Sequence, residues 1–149
     1  MSPHDLWKPL DNPSQIEELM VAFGNFHDSC IREAHIATGH HVREDLAMAT
    51  AGPTTVRLLV QRQFRPLTAI ELRFDELVGL HLPCAPSGYT DIIYDAALFI
   101  SNGIVYWANS ASWAPDSSAD YTWIAAKRVF WRDASEWIGE SLRYRRVSD

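Results

Sequence analysis

The chain has 149 residues, 47% of them hydrophobic, and a formal net charge of −6. This length suits a single domain over residues 1–149, and the hydrophobic content excludes an intrinsically disordered chain. The acidic balance argues against nucleic-acid binding, which needs a surplus of cations, and the longest apolar run, AALFI, is too short to cross a bilayer.

The cysteines and the N-terminal stretch predict a cellular compartment. Cys30 and Cys84 are far apart in sequence and form no CxxC pair, which favours a reduced protein over a disulfide framework. The stretch MSPHDLWKPLDNP lacks the basic and apolar regions of a signal peptide. We therefore expect a cytoplasmic protein. No glycine-rich phosphate-binding motif is present, and we expect no cofactor.

The first predicted element is an amphipathic helix that starts after Asn12. Asn12 is a favourable N-cap residue, and Pro13 fits the first helical position. Four apolar residues then recur at helical spacing: Ile16, Leu19, Met20 and Phe23. Gly24 is expected to end the helix.

Strands are predicted along the middle of the chain, because apolar and polar residues alternate there. The segments are HDSCIREAHIA, TTVRLLVQRQ, TAIELRF, VGLHL, DIIYDAALFI, IVYWA and YTWIAAKRVFW. Asp75 and Glu76 interrupt the alternation and predict a turn or bulge. Asn102 and Gly103 predict a tight hairpin turn, because both residues tolerate a positive φ.

The last strand is expected to lead into a C-terminal helix. Strict alternation along this strand would place Tyr121, Trp123 and Trp131 on one face of the sheet. Asp133 and Glu136 have the spacing of a capping box, and apolar residues follow at helical spacing. The arginines at the end of the segment suit the negative end of a helix dipole.

This order of elements predicts an α+β domain. A helix, six or seven strands and a second helix do not have the βαβ rhythm of a parallel sheet. We expect a curved, mainly antiparallel sheet with an N-terminal and a C-terminal helix. The pattern leaves open whether the sheet forms a sandwich or an open barrel.

The stretch FHDSC is the most concentrated set of reactive side chains in the chain. A metal site could use His27, His35, His40 and His41. Strand alternation would place His27 and His35 on one face but Asp28 and Cys30 on the other, and His40 and His41 follow Gly39 in a predicted loop, where adjacent side chains diverge. The sequence therefore favours no metal site. Asp28 is predicted to have a structural role, accepting hydrogen bonds from backbone amides in an Asx-type turn. Cys30 is predicted to be a buried apolar residue.

Several segments of the chain resemble a family of small uncharacterised bacterial proteins: FHDSCIREAHI, LVQRQ, IELRF, IYDAALFI, VYWA and TWIAAKRVFWR. The opening FHDSCI before a β-rich body is also similar, more loosely, to immunity-type proteins of bacterial toxin systems. That resemblance implies a non-enzymatic cytoplasmic protein that acts by covering a toxin, and it implies no catalytic residues.

The acidic composition and this resemblance together favour a protein-binding domain for a basic protein partner, such as a toxin. The predicted partner-binding residues are Asp75, Glu76, Asp91, Trp113, Asp116 and Asp120. The carboxylates would supply negative charge, and the tryptophan would supply an apolar anchor. Two alternatives stay open: a small metal- or cysteine-dependent enzyme centred on residues 26–41, and a small-molecule carrier.

Overall fold

A computed structural model describes residues 6–85 and 90–145. The elements in chain order are β1 (Lys8–Pro9), α1 (Pro13–Ala22), β2 (Ser29–Ala37), β3 (His41–Val42), β4 (Met48–Ala49), β5 (Thr55–Arg62), β6 (Ala69–His81), β7 (Ala97–Ser101), β8 (Ile104–Ala108) and β9 (Trp123–Asp133). No helix among these residues has the length and apolar character needed to cross a membrane.

One seven-stranded antiparallel sheet organises the molecule. Six strands follow the order β2-β5-β6-β9-β8-β7, and the short β1 pairs with β9. β3 and β4 form a separate two-stranded hairpin. The prediction of an α+β domain with a mainly antiparallel sheet is confirmed, and the sheet does not close into a barrel.

The predicted N-terminal helix is confirmed as α1. Asn12 caps it, because its side-chain oxygen accepts a hydrogen bond from the backbone N–H of Gln15 at 2.9 Å. The Gln15 side chain in turn accepts from the backbone N–H of Asp11 at 2.7 Å. Ile16 and Leu19 are buried and join the core on one face of the sheet.

The predicted tight turn is confirmed between β7 and β8. Asn102 has φ 52° and Gly103 has φ 76°, the left-handed conformation that a two-residue hairpin turn requires. Leu98 then lies opposite Trp107, and Ile100 lies opposite Val105. The hairpin thereby brings the apolar residues of both strands to matching positions.

Halfway along both β6 and β9, the residues that face the core change from one set of alternate positions to the other. β6 has an irregularity at Glu76, whose φ is 55°, so the predicted interruption lies inside one 13-residue strand. On β9, Ala126 and Val129 both belong to the core with two residues between them. Trp131 therefore packs in the core while Trp123 packs on the opposite face. The prediction that these two residues share a face is wrong, because it assumed unbroken alternation.

The main core fills the face of the sheet covered by α1. Phe23, Phe26 and Trp107 are fully buried there. Phe26 packs edge-on against both, with ring centroids 5.0 Å from Phe23 and 5.7 Å from Trp107. These three rings join the helix, the turn after it and β8, and their burial is the main hydrophobic stabilisation at this end of the sheet.

The opposite face of the sheet, which we call the second face, is covered by two chain segments. The loop after β8 places Trp113 beside Trp123, with ring centroids 5.6 Å apart and the rings stacked. Residues 134–145, which we call the C-terminal segment, place Ala134, Trp137 and Tyr144 near Leu59. The second face is therefore also packed, although less completely than the first.

A buried ion cluster lies at the centre of the second face. The Glu71 side chain is 0% exposed and accepts hydrogen bonds from Arg57 Nε on β5 and Arg132 Nε on β9, each at 2.7 Å. The hydroxyl of Tyr144 donates to Glu71 Oε2 at 2.8 Å. A carboxylate that loses all its water needs such partners, because unpaired burial of a charge is very unfavourable.

The C-terminal segment does not form the predicted helix. Ser135 N donates to Asp133 Oδ1 at 2.8 Å, so the expected first turn starts, but Gly139 has φ 93° and the chain leaves the helical path. Side chains of the sheet then satisfy its backbone. Gln61 donates to the carbonyls of Trp137 and Gly139, and Glu33 accepts from two backbone N–H groups of the segment. Tertiary contacts thus replace the bonds of a helix.

The ion cluster predicts that Glu71→Gln is strongly destabilising. The change leaves two arginines facing a neutral amide, and breaking a buried pair in this way costs about 3 kcal/mol. Glu76→Gln is the matched control, because Glu76 pairs with Arg128 at 3.1 Å on the surface and should cost less than about 1 kcal/mol. Urea unfolding measures both. Equal costs would contradict the structural role of Glu71.

Tyr144→Phe should destabilise the fold by about 1 kcal/mol at neutral pH, because Glu71 loses one donor. Burial, and then the negative charge of Glu71, raise the pKa of the Tyr144 phenol above its ordinary value of 10.0. A raised folded-state pKa means that the stabilisation is complete below pH 10 and is lost as the pH rises above it. The difference in unfolding free energy between wild type and variant should therefore shrink above about pH 10. A constant difference would contradict this.

Candidate functional site

One cleft among the described residues is acidic. It has a volume of about 500 Å³ and lies where the segment before β7 meets the loop between β8 and β9. Asp91, Asp95 and Asp120 all line it, and no lysine or arginine lies among the lining residues that the structure describes. Tyr94 and Tyr121 add exposed aromatic surface. We call this feature the acidic cleft.

Two of the three cleft carboxylates lie against histidines. His81 Nε2 is 2.6 Å from Asp120 Oδ1, and His27 Nδ1 is 3.9 Å from Asp95 Oδ1. The Asp120 and Asp95 side chains are 76% and 46% exposed, so both carboxylates stay accessible from solvent. The cleft can therefore present negative charge to an incoming group without first breaking a buried ion pair.

The FHDSC stretch forms the junction between α1 and β2, at the edge of the acidic cleft. His27 Nδ1 lies 2.7 Å from the carbonyl oxygen of Tyr94. Since a carbonyl only accepts, Nδ1 carries the proton. Ile93 N donates to Ser29 O at 2.7 Å, and Ala96 N donates to Asn25 O at 3.0 Å. These bonds hold the cleft-forming segment against the start of β2.

Asp28 and Cys30 lie on the other side of this junction. The Asp28 carboxylate is 36% exposed and lies 3.4 Å from His27 Nε2. Cys30 is exposed, and the prediction of a buried cysteine is wrong, because Cys30 lies on β2 between the inward-facing Ser29 and Ile31 and so points to the opposite face. Both residues line a cavity of about 270 Å³ together with Arg62.

The histidines of the metal alternative do not converge. His27 lies at the junction, His35 lies on β2 next to Tyr144, and His40 and His41 lie at the separate β3–β4 hairpin. Within residues 6–85 and 90–145, no three His, Cys, Asp or Glu side chains are close enough to hold a metal ion.

The predicted partner-binding residues are divided among different places. Asp91 and Asp120 come together in the acidic cleft. Asp75 pairs with Arg73 at 3.3 Å, and Glu76 pairs with Arg128. Two others lie in the loop after β8, where Asp116 is exposed and Trp113 is 6% exposed inside an aromatic cluster.

Asp95 is the cleft residue that sequence reasoning did not include in the partner surface. It was expected inside a long strand, DIIYDAALFI, but β7 begins only at Ala97. The available signal was the position of Asp91 and Asp95 shortly after Pro86 and Gly88, because proline and glycine predict a loop and not a regular strand.

Comparison of the chain with protein-family models, with curated proteins and with solved structures gives no match.

His27→Phe should loosen the wall of the acidic cleft. The variant keeps a ring next to Tyr94 but loses the Nδ1–H donor, at a cost of about 1 kcal/mol. We expect faster hydrogen exchange at the amides of Ile93 and Ala96. His81→Phe is the control, because it removes the contact with Asp120 and leaves the junction intact. Equal exchange rates in both variants and wild type would contradict the role of His27.

Proposed function

We propose that the chain is a non-enzymatic binding domain whose acidic cleft takes a basic segment of a protein partner. The observation that carries this proposal is the convergence of Asp91, Asp95 and Asp120 on one accessible cleft. Complementary charge accelerates association and selects partners, and it does so best where the charges of one sign are grouped.

The apolar groups of the cleft support a protein partner over a free cation. Ile92 is 60% exposed, Tyr94 is 75% exposed and Tyr121 is 37% exposed. Tyrosine is enriched in protein interfaces, because it offers a large ring and a polar tip at little cost in conformational entropy. A lysine or arginine side chain could place its charge between the aspartates and its methylene groups on these rings.

An immunity-type role fits this arrangement. Such a protein binds and covers a toxin, and the basic toxin would be the partner of the cleft. The same proposal includes a bacterial origin and a cytoplasmic location. It is also supported by the resemblance of the FHDSC segment to immunity-type proteins. Trp113 has no part in it as an anchor, since its ring is already packed against Trp123.

The enzyme alternative now rests on one specific observation. Cys30 is exposed and shares a cavity with Asp28, which leaves the thiol accessible to a small molecule. A catalytic thiolate would react with an alkylating reagent much faster than Cys84, which is also exposed. Equal alkylation rates at both cysteines would remove this alternative. A carrier that holds its ligand in the aromatic interior of the sheet has no supporting observation, because Phe23, Phe26 and Trp107 fill that interior.

The proposal is tested with a variant that removes the charge of the cleft. Asp91→Asn, Asp95→Asn and Asp120→Asn are combined in one chain. The probe is a synthetic peptide rich in lysine and arginine, and calorimetry measures its affinity. We expect the cleft variant to bind it at least about tenfold more weakly than wild type, because each lost charge pair contributes up to about 1 kcal/mol.

The matched control changes the same amount of charge elsewhere. Glu17, Glu18 and Glu44 are exposed on α1 and on the β3–β4 hairpin, and all three are replaced by Gln. This control should bind the peptide like wild type. In a pull-down from the native host, wild type and control should retain a basic protein that the cleft variant loses. An equal loss of affinity in both variants would show that only net charge matters and would contradict the proposal.

A further inference from the structure

A second cavity lies on the second face, away from the acidic cleft and beneath the C-terminal segment. It has a volume of about 220 Å³ and is lined by His35, Arg57, Trp137, Arg143 and Tyr144. None of these lining residues is acidic, although the chain as a whole carries a net charge of −6.

The residues that line this cavity contribute two guanidinium groups, those of Arg57 and Arg143, and no carboxylate. Glu71 brings one negative charge to two arginines, Arg57 and Arg132, and it is fully buried behind the cavity. The carboxylate of Glu33 is engaged by the backbone N–H groups of Arg143 and Tyr144, at 2.8 and 3.2 Å. The Glu33 carboxylate keeps its negative charge in these bonds, while the Arg143 guanidinium donates to the carbonyl oxygen of Glu136 at 3.4 Å.

The Arg57 guanidinium is held in place by Glu71 and has further N–H donors that these contacts do not use. Its Nε and Nη2 lie 2.7 and 2.6 Å from Glu71 Oε2, while 35% of its side chain stays exposed. A guanidinium carries two further N–H donors on Nη1, in a plane that the Glu71 contacts fix. Such a preorganised fork suits the oxygens of a carboxylate or phosphate group, because little entropy is lost when it binds.

Aromatic rings form the rest of the cavity wall. The Tyr144 ring lies 5.2 Å from the Arg57 guanidinium carbon and 6.0 Å from the His35 ring. The Trp137 ring lies 6.4 Å from Tyr144 and 6.0 Å from the Arg143 guanidinium carbon. Small-molecule sites combine apolar walls with a few directed polar groups, and this cavity has both.

We propose that this cavity binds a small organic anion, in which one carboxylate or phosphate group is carried on an aromatic ring. The anionic group meets Arg57 and Arg143, and the ring packs on Trp137 and Tyr144. This site is independent of the acidic cleft, which has the opposite charge and lies at a different part of the sheet.

Calorimetry with the full chain tests the proposal with four probes: phenyl phosphate, benzoate, inorganic phosphate and phenol. At least one of the two aryl anions should bind with a dissociation constant below about 1 mM. Inorganic phosphate and phenol should each bind at least about tenfold more weakly than that anion, because each lacks one of the two interactions. Comparison of phenyl phosphate with benzoate identifies the preferred anionic group.

Arg143→Gln removes one cation from the cavity and leaves the Glu71 cluster intact. We expect it to weaken binding of the aryl anion about tenfold. His35→Gln is a second variant and should weaken binding less. Lys127→Gln, at an exposed position on β9, is the control with the same change of charge and should bind like wild type. Thermal unfolding verifies that each variant is folded.

Three results would overturn the proposal. They are no binding of either aryl anion at about 10 mM, equal affinities for inorganic phosphate and for the aryl anion that binds more tightly, and equal weakening in Arg143→Gln and Lys127→Gln.

Discussion

The burial of Glu71 is the constraint on which the second face of the sheet depends. A carboxylate that is 0% exposed requires partners, and the partners come from both neighbouring strands and from the C-terminal segment. Because Arg57 and Arg132 must both reach it, the cluster fixes the relative positions of β5, β6 and β9. Because Tyr144 also reaches it, the same charge ties the C-terminal segment to the sheet. One buried carboxylate thus connects three strands and the C-terminal segment on this face.

The local parts of the fold could be predicted from the sequence, since their determinants lie within a few residues of one another. Asn12 and Pro13 mark the start of α1, and Asn102 with Gly103 marks the turn between β7 and β8. Alternation identifies β5 and the first half of β6. In each case a nearby side chain or a backbone preference decides the conformation, and no distant contact opposes it.

The errors arose where distant contacts override local preference. The capping signal at Asp133 is real, but Gln61 and Glu33 form hydrogen bonds that hold residues 134–145 against the sheet in a non-helical conformation. Alternation failed on β9, because a paired irregularity with β6 changes the inward parity. At the acidic cleft, two of three aspartates were predicted as partner-binding residues. Their convergence could not be predicted, because it depends on how the loop between β8 and β9 folds back toward Asp95.

β9 lies at the centre of the sheet, although it follows the other strands in the chain. It pairs with β6 on one side, and with β8 and β1 on the other. Until residues 123–133 have been synthesised, β2, β5 and β6 can pair as one unit and β7 with β8 as another, but no strand joins them. Such non-local pairing slows folding. Meanwhile, both units expose unpaired strand edges to other chains. A chain that stops before β9 is thus two open sheet fragments, and these are prone to aggregate.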